Sequence, residues 1–266
     1  GYAEAQVLET LVESPNAVDV CCKHYWICSK IQSLSYDEQI KEKSSQVEDA
    51  FVRLGGFLNF KLDKVQKANL IYHYRNKMEF TFSPNRWVLE SEPEGVDKSF
   101  ALGLHIPGRF DKILDIHNCH IQPEIGNKIL AVAREVCLAN PELRPYDPRS
   151  HIGFLRFLML RFGVNTGDLM VNVVTSYHDI DKLSPLIDLL LEKFPEITSL
   201  VNNVNTRKAD VAFGEYETLL YGKPFIQEKI GDLTFEISAN SFFQTNTTQG
   251  DCLLYTSDAA DELLGV

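Results

Sequence analysis

Apolar side chains recur along this chain at two different periods, and the switches between them divide it into elements. Ser35 can cap a helix whose first turn carries Asp37 and Glu38, acidic residues favoured at the positive end of a helix dipole. Ile40, Val47, Phe51 and Leu54 follow at helical spacing and predict one buried face, which Gly55 and Gly56 bring to an end. From Tyr72 the period falls to two: Met78, Phe80 and Phe82 alternate with Lys77, Glu79 and Thr81, as in a strand with one face in a core. Pro123 opens a second helix with Ile125, Ile129, Val132 and Val136 as its inner stripe, Cys137 in the same core, and Asn140-Pro141 as its stop.

The runs Phe154 to Phe162 and Leu169 to Ser176 flank N-T-G-D, a turn composition, and predict a hairpin. Leu183, Leu186, Leu190 and Phe194 make a third amphipathic helix closed by Pro195. Tyr216 to Tyr221, Phe225 to Ile230 and Leu233 to Ile237, separated by G-K-P and G-D, read as further antiparallel strands. No internal repeat interrupts this order. Together these elements predict an α+β fold, a mixed or antiparallel sheet with packed helices.

Composition narrows the picture only a little. A chain of 266 residues, 44% hydrophobic and 24% charged, can bury one or two ordinary cores. Its longest apolar runs, such as Leu186 to Leu191, are far too short to cross a bilayer, and no export signal pattern opens the sequence. Six irregularly spaced cysteines in such a chain predict a reducing, cytoplasmic setting with thiols free for metal. The net charge of -11 speaks against nucleic-acid binding by the averaged surface, since phosphates need cations. Three local pairs leave room for a basic groove: Arg75 with Lys77, Arg156 with Arg161, and Arg207 with Lys208. The plainer alternative for each is isolated, solvated charges.

Several unlinked motifs point in one direction. They are C-K-H-Y-W-I-C at Cys22 to Cys28, Y-R-N-K-M-E-F-T-F at Tyr74 to Phe82, and L-G-L-H-I-P-G-R-F-D at Leu102 to Asp111. D-I-H-N-C at Asp115 to Cys119, L-R-F-L-M-L-R-F-G at Leu155 to Gly163, and A-N-S-F-F-Q-T-N at Ala239 to Asn246 complete the set. In these motifs the chain, from Gly1 to about Gly250, resembles the RNA uracil-5-methyltransferase family.

That resemblance implies a domain order. Residues 1–16 look like the remnant of a TRAM β-barrel, residues 17–230 hold the cysteine motif and a central RNA-binding α+β domain, and residues 231–251 lead into a Rossmann-like methyltransferase domain. Residues 252–266, beginning C-L-L-Y-T-S-D-A-A-D-E, resemble a translated sequencing adapter, the alternative being a genuine acidic tail. On this reading the chain is a piece truncated at both ends, without catalytic residues and inactive by itself.

The resemblance also implies chemistry. The family methylates C5 of uridine in structured RNA from S-adenosylmethionine, after a cysteine thiolate adds to C6 of an extruded base. Gln244 stands where the family's glutamine touches that cofactor. Cys22, Cys28 and Cys119 match three of four cysteines that hold a [4Fe-4S] cluster in the ribosomal branch, which makes 23S ribosomal RNA the expected substrate over transfer RNA. The third cluster position carries Ser29 or Ile31, neither a fit replacement for a thiolate. A zinc site from the same cysteines and His24 is a second option, and a non-catalytic RNA-binding or iron-sulfur module a third. Arg75, Asn76 and Lys77 are the candidate RNA contacts, by a planar fork, a base-reading amide and a point charge. The opposing reading pairs Arg75 with Glu79 on a sheet surface. His105, His117 and His120 are assigned no role. No membrane and no DNA partner is expected.

Overall fold

The structure is a computed structural model that describes residue 20 and residues 22–29, 31–208 and 211–254. The expected barrel remnant at residues 1–16 and most of the expected adapter tail lie outside the described residues. The chain divides into two compact units, Gly1–Lys67 and Ala68–Val266.

In the first unit, a short helix α1 (Tyr25–Cys28) precedes α2 (Tyr36–Asp49). Ser35 caps α2 as predicted, its hydroxyl accepting from the Glu38 N–H at 3.4 Å. A π-helical turn (Ala50–Leu54) ends the helix, closed by a bond from Gly55 N–H to the Ala50 carbonyl. The predicted buried stripe is not realised: no residue of α2 is buried, and Val47, Phe51 and Leu54 are 40%, 44% and 89% exposed. The Phe51 ring packs against Phe57 and Phe60, with ring centroids 5.8 and 5.0 Å away. Periodicity marks a face as apolar. It does not supply a second element to cover it.

The second unit is built on an eight-stranded sheet. Its strands are β1 (Lys77–Ser83), β2 (Arg86–Trp87), β3 (Ala101–Ile106), β4 (Arg109–Asp115), β5 (Leu155–Phe162), β6 (Leu169–Thr175), β7 (Ser199–Val204) and β8 (Tyr216–Gly222). Their order is β2-β4-β3-β1-β5-β6-β7-β8. Pairing is antiparallel except β2 with β4 and β6 with β7. Helix α3 (Glu124–Ala139) joins the two halves of the sheet, and α4 (Ile180–Lys193) makes the crossover that a parallel β6–β7 pair requires. Strands β9 (Phe225–Ile230) and β10 (Leu233–Ser238) form a separate hairpin.

The alternation read in β1 is kept, with Met78, Phe80 and Phe82 buried. Register carries each of its side chains to a matching side of β5, Phe80 opposite Leu158 and Lys77 opposite Arg161. The first of these faces is apolar and takes α3, where Gly126 lies close to the ring of Phe162. The second is mixed and is partly covered by the β9–β10 hairpin through Met170, Val201, Ile226, Ile237 and Ala239. Both helices predicted here, including the burial of Cys137, Leu183, Leu186 and Leu190, are present.

Three substantial strands escaped the periodic reading. β3 and β4 turn at Pro107-Gly108, a hairpin signal inside a stretch read only as a family motif. A Cβ at Gly103 would sit 1.9 Å from the Leu114 carbonyl, so β4 returns too close for any side chain there. β7 was hidden by its asparagines: Asn202 is fully buried and donates to the Val173 carbonyl at 2.8 Å and the Thr175 hydroxyl at 3.1 Å. No helix among the described residues is long and apolar enough to cross a membrane.

Candidate functional site

The A-N-S-F-F-Q-T-N segment follows β10 and is tied down at several points. Arg161, at the end of β5, is buried, and its guanidinium donates to the carbonyls of Ala239 (3.1 Å) and Ser241. Burial lowers the pKa of this guanidinium, and the Glu79 carboxylate opposes the shift. Phe243 turns inward against Phe235 with ring centroids 5.6 Å apart, whereas Phe242 is 86% exposed. Asn246 then caps helical turns at residues 247–254, its side chain accepting from Gln249 N–H at 3.2 Å.

Asn76 fastens the far side of this segment. It is 5% exposed, and its side-chain amide donates to the Gln244 carbonyl and the Thr247 hydroxyl, both at 2.8 Å. Its backbone N–H reaches the Thr245 carbonyl at 2.8 Å. The Thr247 hydroxyl in turn donates to the Glu228 carboxylate at 2.8 Å. Glu228 is fully buried, and its carboxylate also accepts from the N–H groups of Val164 (2.7 Å) and Asn165 (2.9 Å). A buried carboxylate needs such donors, because an unsatisfied one is strongly disfavoured. Nothing in the sequence marked Glu228, which sits in an ordinary alternating strand. With its backbone held, Gln244 presents an exposed side chain.

Of the other expected RNA contacts, Arg75 is half-buried and its Nε donates to the Lys77 carbonyl at 3.0 Å. Lys77 pairs with Glu79, so the Arg75–Glu79 alternative is not the pairing seen. Lys77 also lies 5.9 Å from the Phe213 ring centroid. Since Lys77 and Arg161 are register partners, Lys77 is on the sheet face that carries the Ala239–Ser241 backbone. The expectation of a basic groove from Arg156 and Arg161 fails. Both are buried, Arg156 donating to the Asn205 carbonyl at 2.8 Å and lying 4.4 Å from the Tyr146 ring centroid. Arg207 pairs with Glu215 at 3.0 Å.

Cys22 is half-buried and Cys28 exposed in the first unit; Cys119 is buried in the second. Asn127 of α3 brackets the Cys119 backbone, accepting from its N–H at 2.9 Å and donating to its carbonyl at 3.3 Å. Asp115 of the same D-I-H-N-C motif receives Arg134 at 2.9 Å and His117 at 3.0 Å. Among the described residues, no group of three or more His, Cys, Asp or Glu is placed to hold a metal ion. The third cluster position carries Ser29 or Ile31, so this chain's donor set lacks the fourth thiolate of the expected four-iron cluster.

No protein-family profile matches the chain. It is 41% identical over 259 residues to an uncharacterized RNA methyltransferase of Chlorobaculum tepidum, covering 95% of this chain and 53% of that protein. It is 40% identical over 250 residues to an uncharacterized RNA methyltransferase of Porphyromonas gingivalis, covering 90% and 53%. The chain spans about half the length of these curated relatives. Among solved structures it resembles the Pyrococcus abyssi tRNA (uracil-54, C5)-methyltransferase in complex with S-adenosyl-L-homocysteine, with a TM-score of 0.68, 25% identity, and coverage of 94% of this chain and 52% of that one. Fold and relatives alike are those of RNA-methylating proteins. In sequence the chain is similar to RNA methyltransferases over about half of their length, and in fold to a tRNA uracil-C5 methyltransferase.

Proposed function

We propose that the protein takes part in S-adenosylmethionine-dependent methylation of uridine at C5 in structured RNA, with 23S ribosomal RNA as substrate. The observation that carries this reading is the anchored segment from Ala239 to Gly250. Its backbone is fixed by Arg161 and Asn76 while the Gln244 side chain stays exposed, in a chain whose relatives are RNA methyltransferases. Gln244 would contact the cofactor, which supplies the methyl group. Arg75 and Lys77 would meet RNA phosphate along the same sheet face, with Asn76 acting as the clamp beneath them rather than as a base-reading group.

The ribosomal preference rests on Cys22, Cys28 and Cys119, three of the four positions expected in that branch. A transfer RNA substrate is the second reading, favoured by the likeness to the Pyrococcus abyssi enzyme. Deleting the gene and measuring 5-methyluridine by mass spectrometry in separated RNA fractions decides between them. Loss from 23S ribosomal RNA is the expected outcome. Loss from transfer RNA alone selects the second reading, and unchanged 5-methyluridine in both rejects the function.

A further inference from the structure

At the opposite end of β5 from the anchored segment lies a groove of about 490 Å³ in which cations and aromatic rings interleave. Arg144, Lys182 and Lys208 line it together with Tyr146, Phe154 and Tyr177, and Glu142 is the one carboxylate of the lining. Three cations against one anion is the reverse of the whole chain, whose net charge is -11. The Tyr177 and Phe154 rings stand 4.8 Å apart, and Tyr177 is 43% exposed. Lys182 lies over both, 5.5 and 5.2 Å from their centroids, and donates to the Tyr177 hydroxyl at 2.9 Å. That hydrogen bond raises the pKa of Lys182, which keeps it cationic.

The walls are fixed before any ligand arrives. Gly153 has φ +125, and a Cβ there would meet the Pro145 carbonyl at 2.1 Å. The Tyr146 hydroxyl is bonded to His151 Nδ1 at 2.9 Å, and the Ser176 hydroxyl donates to the Gly153 carbonyl at 2.6 Å. An exposed ring, Tyr177, beside cations on a hydrogen-bonded wall matches single-stranded nucleic acid, whose bases stack and whose phosphates need positive charge.

We propose that this groove docks a single-stranded segment of the RNA substrate, a base stacking on Tyr177 and neighbouring phosphates facing Arg144, Lys182 and Lys208. The proposal rests on the reading of the protein as acting on RNA. Because β5 has 8 residues, the docked segment would lie roughly 25 Å from Gln244 at the usual rise of a strand. A stretch of several nucleotides would join the two ends.

The test is fluorescence anisotropy of the 266-residue chain with a labelled single-stranded oligouridine and with structured ribosomal and transfer RNA. Tyr177→Ala should weaken oligouridine binding about tenfold through lost stacking. Arg144→Ala should lower the slope of log affinity against log salt by about 0.7, one phosphate's share for a single strand. Both side chains are exposed, so circular dichroism should show unchanged folding; Lys208→Ala provides a second exposed charge removal. Binding of oligouridine that all three variants leave unchanged overturns the groove while the RNA reading stands. Polyglutamate competing as well as unlabelled oligouridine, with Tyr177→Ala silent, also overturns it by showing a charge-only site. If no RNA of any kind binds, the RNA reading fails first and the groove with it.

Discussion

The side-chain amide of Asn76 donates to the main-chain carbonyl of Gln244 at 2.8 Å across 168 positions of sequence. The same nitrogen reaches the Thr247 hydroxyl, so one buried residue at the start of β1 fixes the strand exit that presents Gln244. Asn76→Ala removes both bonds and leaves two acceptors without that donor. The expected cost is about 3 kcal/mol of stability. Urea denaturation measures it, and faster amide exchange at residues 247–250 should accompany it.

Glu228 is the second such point. Its carboxylate accepts from the backbone N–H groups of Val164, Asn165 and Lys229 and from the Thr247 hydroxyl, all at 2.9 Å or less. Glu228→Gln keeps the volume but turns one acceptor into a donor that faces other donors. A loss of about 2–4 kcal/mol is expected. A melting temperature equal to the parent's would show that this network carries no weight.

Gly153 is required by conformation and by space. Any Cβ there adopts φ +125 and collides with the Pro145 backbone, which cannot yield as a flexible side chain would. Gly153→Ala should destabilise the chain by about 2 kcal/mol or more. Thermal unfolding is the measurement, and a shift within error of zero contradicts the close approach.

Cys137 offers a pH signature. Burial pushes its thiol up from the ordinary 9.0 to about 12, with the Arg134 charge opposing. Between those values the folded chain holds a proton that the unfolded chain releases. The thiol's contribution is therefore complete below pH 9.0 and is lost as pH rises toward about 12, with a limiting slope of about 1.4 kcal/mol per pH unit. Subtracting the stability of Cys137→Ala from that of the parent at each pH isolates this term from other titrating groups. A flat difference across the window would rule out the buried thiol as its source.

Hydrophobic period and turn composition determined much of the second unit: the alternation of β1, the hairpin of β5 and β6, the stripes of α3 and α4 and the β9–β10 pair are legible because local chain geometry imposes periods of two and 3.6. Composition left open what covers a face. The stripe of α2 is apolar yet exposed, since its burial depends on a partner element that spacing alone does not specify. Motifs pointed to Gln244 and Asn76. Only the tertiary structure showed that the two are joined, that Arg156 and Arg161 serve the interior, and that Glu228 is buried. It also gathered Arg144, Tyr177 and Lys208 into one groove. Those facts depend on register and on contacts between residues far apart in the chain, for which a linear pattern holds no record.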